Sequence, residues 1–464
     1  MSIKNNSQFA LQIEEYLRKK LPIKLGVNKK NELVRLVYEI CRARDISIED
    51  VISQAKIEEI IEGGRQDLFH KCKRAFLEIR YPSISPGDDP HIMPFDSTFS
   101  DQECSIWDSE IHPKRIFIEE SVKGLEWTDS FLQNFPHAEQ ILIKDVKEGL
   151  KRISKPVSTA VYNARRENLF LVEGKSAFIK ICPCTKECVR CGYWILNIGF
   201  GCPVDCAYCY LQMYSNSPGL ILPANIEDYY ANIEELDKKA AGKIRIGTGE
   251  FTDSLALDRY TKYSSYLIPF FRNTKNLIFE LKTKVSEIDN VLKEEPHDNI
   301  VISWSMNTPV VAERYEKGGA SISERISAAR EASRKGYKIG FHFDPIVYYL
   351  GWEKDYKCTI KTIFSFDEIR QNTVWISLGT LRYTPGLKQE AEKRFEENLM
   401  FYQGEFFIDI DGKLRYPRDL RIDMYNKMAE WIKSFDTSPW IYLCMEPREL
   451  WKKTILDKAS YVYN

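Results

Sequence analysis

Residues 193–212 read YWILNIGFGCPVDCAYCYLQ, and this stretch decides how the rest of the chain is read. Tyr193–Ile198 is a short apolar run bounded by the Gly199-Phe-Gly201 turn, which predicts a strand running into a loop. That loop carries Cys202, Cys206 and Cys209 in a C-x3-C-x2-C spacing. Three thiolates on one tight loop suit three irons of a [4Fe–4S] cluster and leave the fourth iron without a protein ligand, a position a small chelating ligand can take. Structural zinc normally wants four ligands in paired CxxC knuckles, and this loop has no such pairing. Tyr208 and Tyr210 flank the cysteines and can screen a cluster from water.

Downstream of this stretch, strand and helix patterns alternate. Strands are expected at Tyr193–Ile198, Lys243–Ile246, Leu277–Leu281, Ile300–Ser305, Lys338–Phe343 and Val374–Leu378, with helices at Ile226–Lys239, Ser254–Phe271, Ser323–Lys335 and about Thr359–Ile369. Short apolar strands alternating with helices imply a parallel sheet with helices outside. Six such units predict an α/β fold, a partial (β/α)6 barrel, whose chemistry sits at the C-terminal strand ends. Upstream, Gln8–Lys20, Lys30–Arg42, Ser47–Gln54 and Arg65–Ile79 show helical periodicity, with Ser47 and Asp50 resembling a capping box. The Pro- and Gly-rich stretch 82–90 ends this all-α block. Strands at Arg115–Glu119 and Gln140–Lys144, with a helix near Asp129–Phe135, follow it. The expected division is a helical domain over 1–90, a connecting α/β region over 91–192, and the barrel with a C-terminal extension over 193–464.

The chain has 464 residues, 44% hydrophobic and 29% charged, with a formal net charge of -1. This excludes a globally basic nucleic-acid binder and an acidic disordered chain. No run approaches the roughly 18 apolar residues of a membrane span. The N-terminus turns acidic and amphipathic too soon for a signal peptide, so a cytoplasmic protein is expected. There are 12 cysteines, and in a reduced compartment disulfides are not expected. Cys41, Cys72, Cys104, Cys358 and Cys444 are scattered, whereas the other seven fall between positions 182 and 209, which reads as metal ligation. Four of those seven, Cys182, Cys184, Cys188 and Cys191, precede the first barrel strand. They are read as an auxiliary [4Fe–4S] site or a zinc site, with Cys104 as a possible extra ligand.

The Cys202–Cys209 loop resembles the signature of the radical S-adenosylmethionine superfamily. Within it, Cys206-Ala-Tyr-Cys209-Tyr-Leu-Gln212 is similar to the spore photoproduct lyase family, as are Ser303–Thr308, Ala320–Ala329, Lys335–Phe341 and the Asp344-Pro-Ile to Gly351-Trp352 stretch. The resemblance runs from about Arg115 to near Trp352. It implies that S-adenosylmethionine chelates the open iron and is cleaved by one electron to a 5′-deoxyadenosyl radical that abstracts hydrogen from substrate. It implies that Lys284 and Ser305 hold the cofactor carboxylate, and that the Gly247-Thr-Gly249-Glu250 turn receives its amine. A Lys and a strand-end hydroxyl suit a carboxylate. Tyr208 matches a tyrosine of the lyase's radical relay, and Tyr210 joins it in the catalytic set.

The chain departs from the family in two places. The lyase's hydrogen-donating cysteine follows the second strand, where this chain has Gly249-Glu-Phe-Thr-Asp253. Cys444, at the end of the Trp440–Met445 run, is the replacement thiol singled out here. The 182–191 cysteines are the second departure. His342 and Asp344, on an alternating strand end, are further cofactor-site candidates. Arg382, Tyr383, Arg415, Tyr416, Arg418 and Arg421 form a basic, aromatic stretch suited to phosphates and bases. The resemblance implies an enzyme acting on a damaged or modified pyrimidine base in DNA, with a low-potential donor such as flavodoxin or ferredoxin. The alternative is radical modification of a peptide or small metabolite. A third reading is a non-catalytic iron–sulfur binding protein.

Overall fold

Strand runs in this chain are short and apolar on both faces. Ile300–Ser305, for example, is buried at every position, the pattern of a parallel strand covered on both sides. A computed structural model describes residues 6–64, 66–85, 92, 110–153, 159–175, 178–214, 217–395, 399–435 and 439–459. Its main sheet has eight strands: β1 (Ile179–Ile181), β2 (Trp194–Leu196), β3 (Ile244–Gly247), β4 (Leu277–Thr283), β5 (Ile300–Ser305), β6 (Lys338–Ile346), β7 (Thr373–Thr380) and β8 (Trp440–Leu443). They lie in chain order across the sheet. β2 to β8 are parallel and β1 pairs antiparallel with β2. The expected partial barrel is therefore present. It gains a seventh parallel strand, β8, and an antiparallel edge strand, β1, beyond the six units expected.

Several boundaries move for local reasons. The expected helix Ser254–Phe271 is two helices, Asp258–Thr261 and Tyr263–Arg272, because Lys262 between them is left-handed (φ 53°). Asp258 accepts from the Ser264 N–H at 2.8 Å and so caps the second helix. The helix expected at about Thr359–Ile369 starts earlier, at Trp352, after the left-handed Gly351. It gives way to a second helix, Asp367–Asn372.

A second, four-stranded parallel sheet has the order Glu139–Ile143, Arg115–Glu119, Asn168–Val172, Leu220–Pro223. Phe117 and Phe170 stack at 4.7 Å in its core. Leu220–Pro223 follows the cysteine loop but pairs with Asn168–Val172, so one sheet spans the expected division at 192.

By packing, the chain forms two compact units, Met1–Cys104 with Val347–Leu350 and Arg382–Pro417, and the remainder. The smaller unit contains helices Asn6–Lys20, Val27–Arg44, Ile48–Gln54, Ile57–Glu62, Leu68–Arg80 and Pro385–Arg394. The Ser47–Asp50 capping box forms as expected. The helix expected over Arg65–Ile79 begins instead at Leu68, because Asp67 is left-handed. Arg35 bridges Glu39 at 2.8 Å and Glu392 at 2.7 Å in its buried centre. The basic stretch is corrected here. Arg415 is buried and paired with Asp411 at 2.7 Å, and Tyr383 and Tyr416 are buried. In the larger unit Arg421 is buried against Glu446 at 2.8 Å. Arg415, Arg421, Tyr383 and Tyr416 are thus committed to the interior, whereas Arg382 is half-buried and Arg418 exposed, so the six do not present a shared basic surface. Among the described residues no helix is long and apolar enough to cross a membrane.

Candidate active site

The cysteine loop leaves β2 through Gly199 and Gly201. Gly201 is left-handed (φ 94°), and a Cβ there would come within 3.0 Å of Leu220. Asp205 is also left-handed (φ 57°), a conformation that short polar side chains tolerate better than most. Its carboxylate is fixed by Arg165 at 2.9 Å. The same guanidinium donates to the Cys202 carbonyl at 3.0 Å. Both side chains are almost fully buried. The other flank of the loop is held by backbone: Ala207 N–H donates to Tyr315 O at 2.8 Å, and Gly318 N–H to Val204 O at 2.8 Å. A Cβ on Gly318 would lie 2.7 Å from the Val204 carbonyl, so only glycine allows that approach.

Cys206 is buried, and Cys202 and Cys209 are half-buried. The Val204 N–H already donates to Cys202 Sγ at 3.4 Å. Burial pushes the Cys202 thiol up to about 12 and also raises Cys206 and Cys209. Without a metal these thiols stay protonated at neutral pH, and loading releases their protons. Among the described residues no three Cys, His, Asp or Glu side chains converge on one point as a set for a single ion. Thiolates that each hold a different iron need no such convergence. Three thiolates on one fixed loop match three irons of a cluster, whereas a closed structural zinc site wants a fourth ligand.

Tyr208 lies inside a charged knot. Its hydroxyl donates to Glu316, and Lys284 Nζ reaches both the Tyr208 hydroxyl at 3.1 Å and Glu316 at 3.2 Å. Arg325, wholly buried, holds the other Glu316 oxygen at 2.6 Å and donates to Ser305 O at 2.8 Å. Burial raises the Glu316 carboxyl, and Arg325 and Lys284 more than reverse this, holding it at about 2. The structure thus brings Tyr208 and Lys284 together on one carboxylate, with Ser305 joined to the group through its backbone carbonyl and Arg325. Glu316 and Arg325 were not singled out from the sequence. Tyr210 is half-buried at the start of the short Leu211–Tyr214 helix.

A second polar knot fills the barrel lower down. Glu280 on β4 is fully buried and accepts from Ser303 Oγ at 2.5 Å, His342 Nε2 at 2.8 Å, Trp375 Nε1 at 2.9 Å and Arg245 at 3.3 Å. Arg245 lies over the Trp375 ring at 4.1 Å and donates to the Tyr442 hydroxyl at 3.2 Å. His342, expected to face the cofactor, is instead bound to Glu280. Burial lowers the His342 pKa. It is an interior positioning residue whose partner lies 62 positions away in the chain.

The Gly247–Glu250 turn does close on β4. A Cβ on Gly247 would sit 2.1 Å from the Tyr193 hydroxyl, and one on Gly249 2.9 Å from Lys282. Asp253, just beyond, accepts from the backbone N–H of Leu255 and Ala256 at 3.0 Å and of Lys284 at 2.7 Å. It thereby fixes the turn against the end of β4.

The 182–191 cysteines lie in the connection between β1 and β2. Cys184 Sγ donates to Cys182 Sγ at 3.5 Å, which with burial raises the Cys182 thiol. Cys188 bridges to Pro447, and Val189 N–H donates to Glu446 O at 3.0 Å. The group is therefore laid against the segment just after Cys444. Cys104 lies outside the described residues.

Residues 186–405 match the Spore photoproduct lyase family. The spore photoproduct lyase of Clostridium acetobutylicum is 26% identical over 244 residues, 50% of this chain and 71% of the relative. That of Bacillus subtilis is 25% identical over 252 residues, 51% and 71% of the two chains. Among solved structures, spore photoproduct lyase complexed with dinucleoside spore photoproduct superimposes with a TM-score of 0.62 at 20% identity, covering 71% of this chain and 98% of that one. A variant with bound AdoMet (S-adenosylmethionine) and dinucleoside spore photoproduct gives 0.61. At that identity the structural likeness speaks for the fold.

Proposed function

We propose that this chain is a radical S-adenosylmethionine protein related to the spore photoproduct lyases, and that it is a cytoplasmic enzyme acting on a damaged or modified pyrimidine in DNA. The observation that carries the reading is the Cys202–Cys209 loop, fixed by Arg165–Asp205 at the end of β2 in a half-barrel of the lyase type. Cys202, Cys206 and Cys209 would hold a [4Fe–4S] cluster. With S-adenosylmethionine and an electron from a flavodoxin- or ferredoxin-like donor, that group supplies a 5′-deoxyadenosyl radical able to take a hydrogen atom from substrate.

The chain's own residues bind and position. Lys284 offers an ammonium and Ser305 a strand-end hydroxyl for the cofactor carboxylate. Glu316 and Arg325 keep Lys284 and Tyr208 in one geometry, so the tyrosine hydroxyl is pinned beside the cation. A damaged base leaves the stack more easily than an intact one, which favours its reaching a buried site. Cys444 follows β8, where its N–H donates to Leu378 O at 2.8 Å. Tyr442, two residues earlier, points into the barrel toward Arg245, and strand alternation gives Cys444 the same face. A weak S–H bond on that face supports Cys444 as hydrogen donor in place of the missing cysteine near 250. Cys182, Cys184, Cys188 and Cys191, four soft ligands within ten residues, support a second metal site, an auxiliary [4Fe–4S] cluster in the first place and zinc as the alternative.

The test is anaerobic reconstitution followed by quantifying 5′-deoxyadenosine with and without ultraviolet-irradiated DNA, with Cys206→Ala as control. Cleavage that needs Cys206 and rises with irradiated DNA is expected. Cys206-dependent cleavage indifferent to DNA would move the reading to a peptide or small-metabolite substrate.

A further inference from the structure

The lower knot fixes which way the barrel strands face. Arg245, Glu280, Ser303, His342, Trp375 and Tyr442 all meet inside the sheet. Side chains alternate along a strand, so the residues two positions further on form the next layer toward the C-terminal ends. On β4 that residue is Lys282, on β6 Asp344 and on β8 Cys444. Lys282 is half-buried, and its stem passes over Gly249, where a Cβ would come 2.9 Å from its Cβ and Cε. Among the described residues no hydrogen bond or ion pair ends on the Lys282 ammonium. None ends on the half-buried Glu250 carboxylate, which belongs to the turn after β3. Burial works against the ammonium, but Glu250, Glu280, Asp344 and Cys444 are close enough in charge to keep it protonated.

A cation and a carboxylate that feel each other without pairing leave room for a ligand group offering an acceptor and a donor side by side. A phosphate is a poor occupant, because Glu250 and Asp344 would repel it. We propose that Lys282 and Glu250 read the imide edge of a pyrimidine. The Lys282 ammonium donates to a ring carbonyl oxygen, and the Glu250 carboxylate accepts from the adjacent ring N3–H. This rests on the nucleic-acid reading above and reassigns Glu250 from the cofactor amine to the substrate base. Leaving such groups unpartnered by the wrong ligand is costly, which is what makes them selective.

Equilibrium dialysis of the reconstituted protein against thymidine and N3-methylthymidine tests it. Native protein should bind thymidine about tenfold or more tightly than the methylated analogue, the worth of one charge-assisted hydrogen bond. Lys282→Met should lose a similar factor for both nucleosides, and Lys282→Arg should recover most of it. Glu250→Ala should remove the discrimination between them. Equal binding of the two nucleosides by native protein, or no binding of either, would overturn the proposal. So would a Glu250→Ala variant that moves S-adenosylmethionine affinity and leaves thymidine affinity alone. If native protein discriminates between the nucleosides yet shows no cleavage response to irradiated DNA, the repair reading fails and the base-edge assignment stands. If cleavage responds to irradiated DNA and N3-methylation makes no difference, the reverse holds.

Discussion

The two cysteine groups lie on opposite sides of one short strand, β2, and are held by different means. Cys202–Cys209 is set in place by a buried ion pair, Arg165–Asp205, by a carbonyl contact to the same arginine, and by a glycine at 318 that admits the neighbouring backbone. Cys182–Cys191 sits in the β1–β2 hairpin at the sheet edge and lies against the chain after β8 through the Cys188–Pro447 bridge and the Val189 N–H to Glu446 O bond. The first loop is shaped by the fold before any metal arrives. The second takes its place from the last strand and from whatever its thiols bind. Preorganised ligands lose little conformational freedom on loading, and loosely held ones lose more.

The largest expected effect is on the first loop's chemistry. Cys206→Ala should abolish 5′-deoxyadenosine formation, whereas Cys188→Ala should leave the visible charge-transfer absorption of the first cluster and reduce the iron count. Equal loss in both variants would break the distinction between the groups.

Next comes the anchor. Arg165→Ala leaves the Asp205 carboxylate buried and unpaired, which costs about 3–5 kcal/mol. Thermal melting should fall accordingly in both metal-free and loaded protein. A melting point unchanged in the metal-free protein would mean that the loop is ordered by metal alone.

A softer version, Asp205→Asn, keeps the shape but removes the charge. Iron affinity should drop roughly ten- to a hundredfold, as for other groups that orient metal ligands. Titration with a chelator reads this, and the second group should release its metal first in the native protein.

The smallest effect belongs to the other compact unit and serves as a reference. Burial raises the Asp411 carboxyl, but Arg415 and Lys413 outweigh it and hold the group at about 2. A depressed carboxyl contributes stability above its unfolded value and loses it as pH falls toward 2. Asp411→Asn should flatten acid unfolding between about pH 4 and pH 2, by on the order of 1 kcal/mol after screening. Metal content should not change.

Strand runs such as Arg115–Glu119 and Ile300–Ser305 were legible to the residue, because a short apolar run between turn signals has few other readings. The three-cysteine loop was legible because its spacing is local. Glu280 and Lys282, two charges two apart in an otherwise apolar strand, are the local mark of an inward polar face. Their partners were not legible, since Arg245, His342 and Trp375 arrive from three other strands. Glu316 was hidden for the same reason: nothing near it in sequence announces Lys284, Tyr208 or Arg325. The Lys262 and Asp67 breaks escaped notice because a lysine or an aspartate in a left-handed turn leaves no pattern in hydrophobicity.

The Arg165–Asp205 pin has a consequence for the life of the protein in air. Zinc fingers and similar small domains fall apart when stripped, since metal binding is their folding energy. Here the socket is kept open by the protein's own charges. Oxygen that destroys the inorganic centre should leave behind a folded shell, ready for an assembly carrier to refit, so the polypeptide can outlast many copies of its own cofactor.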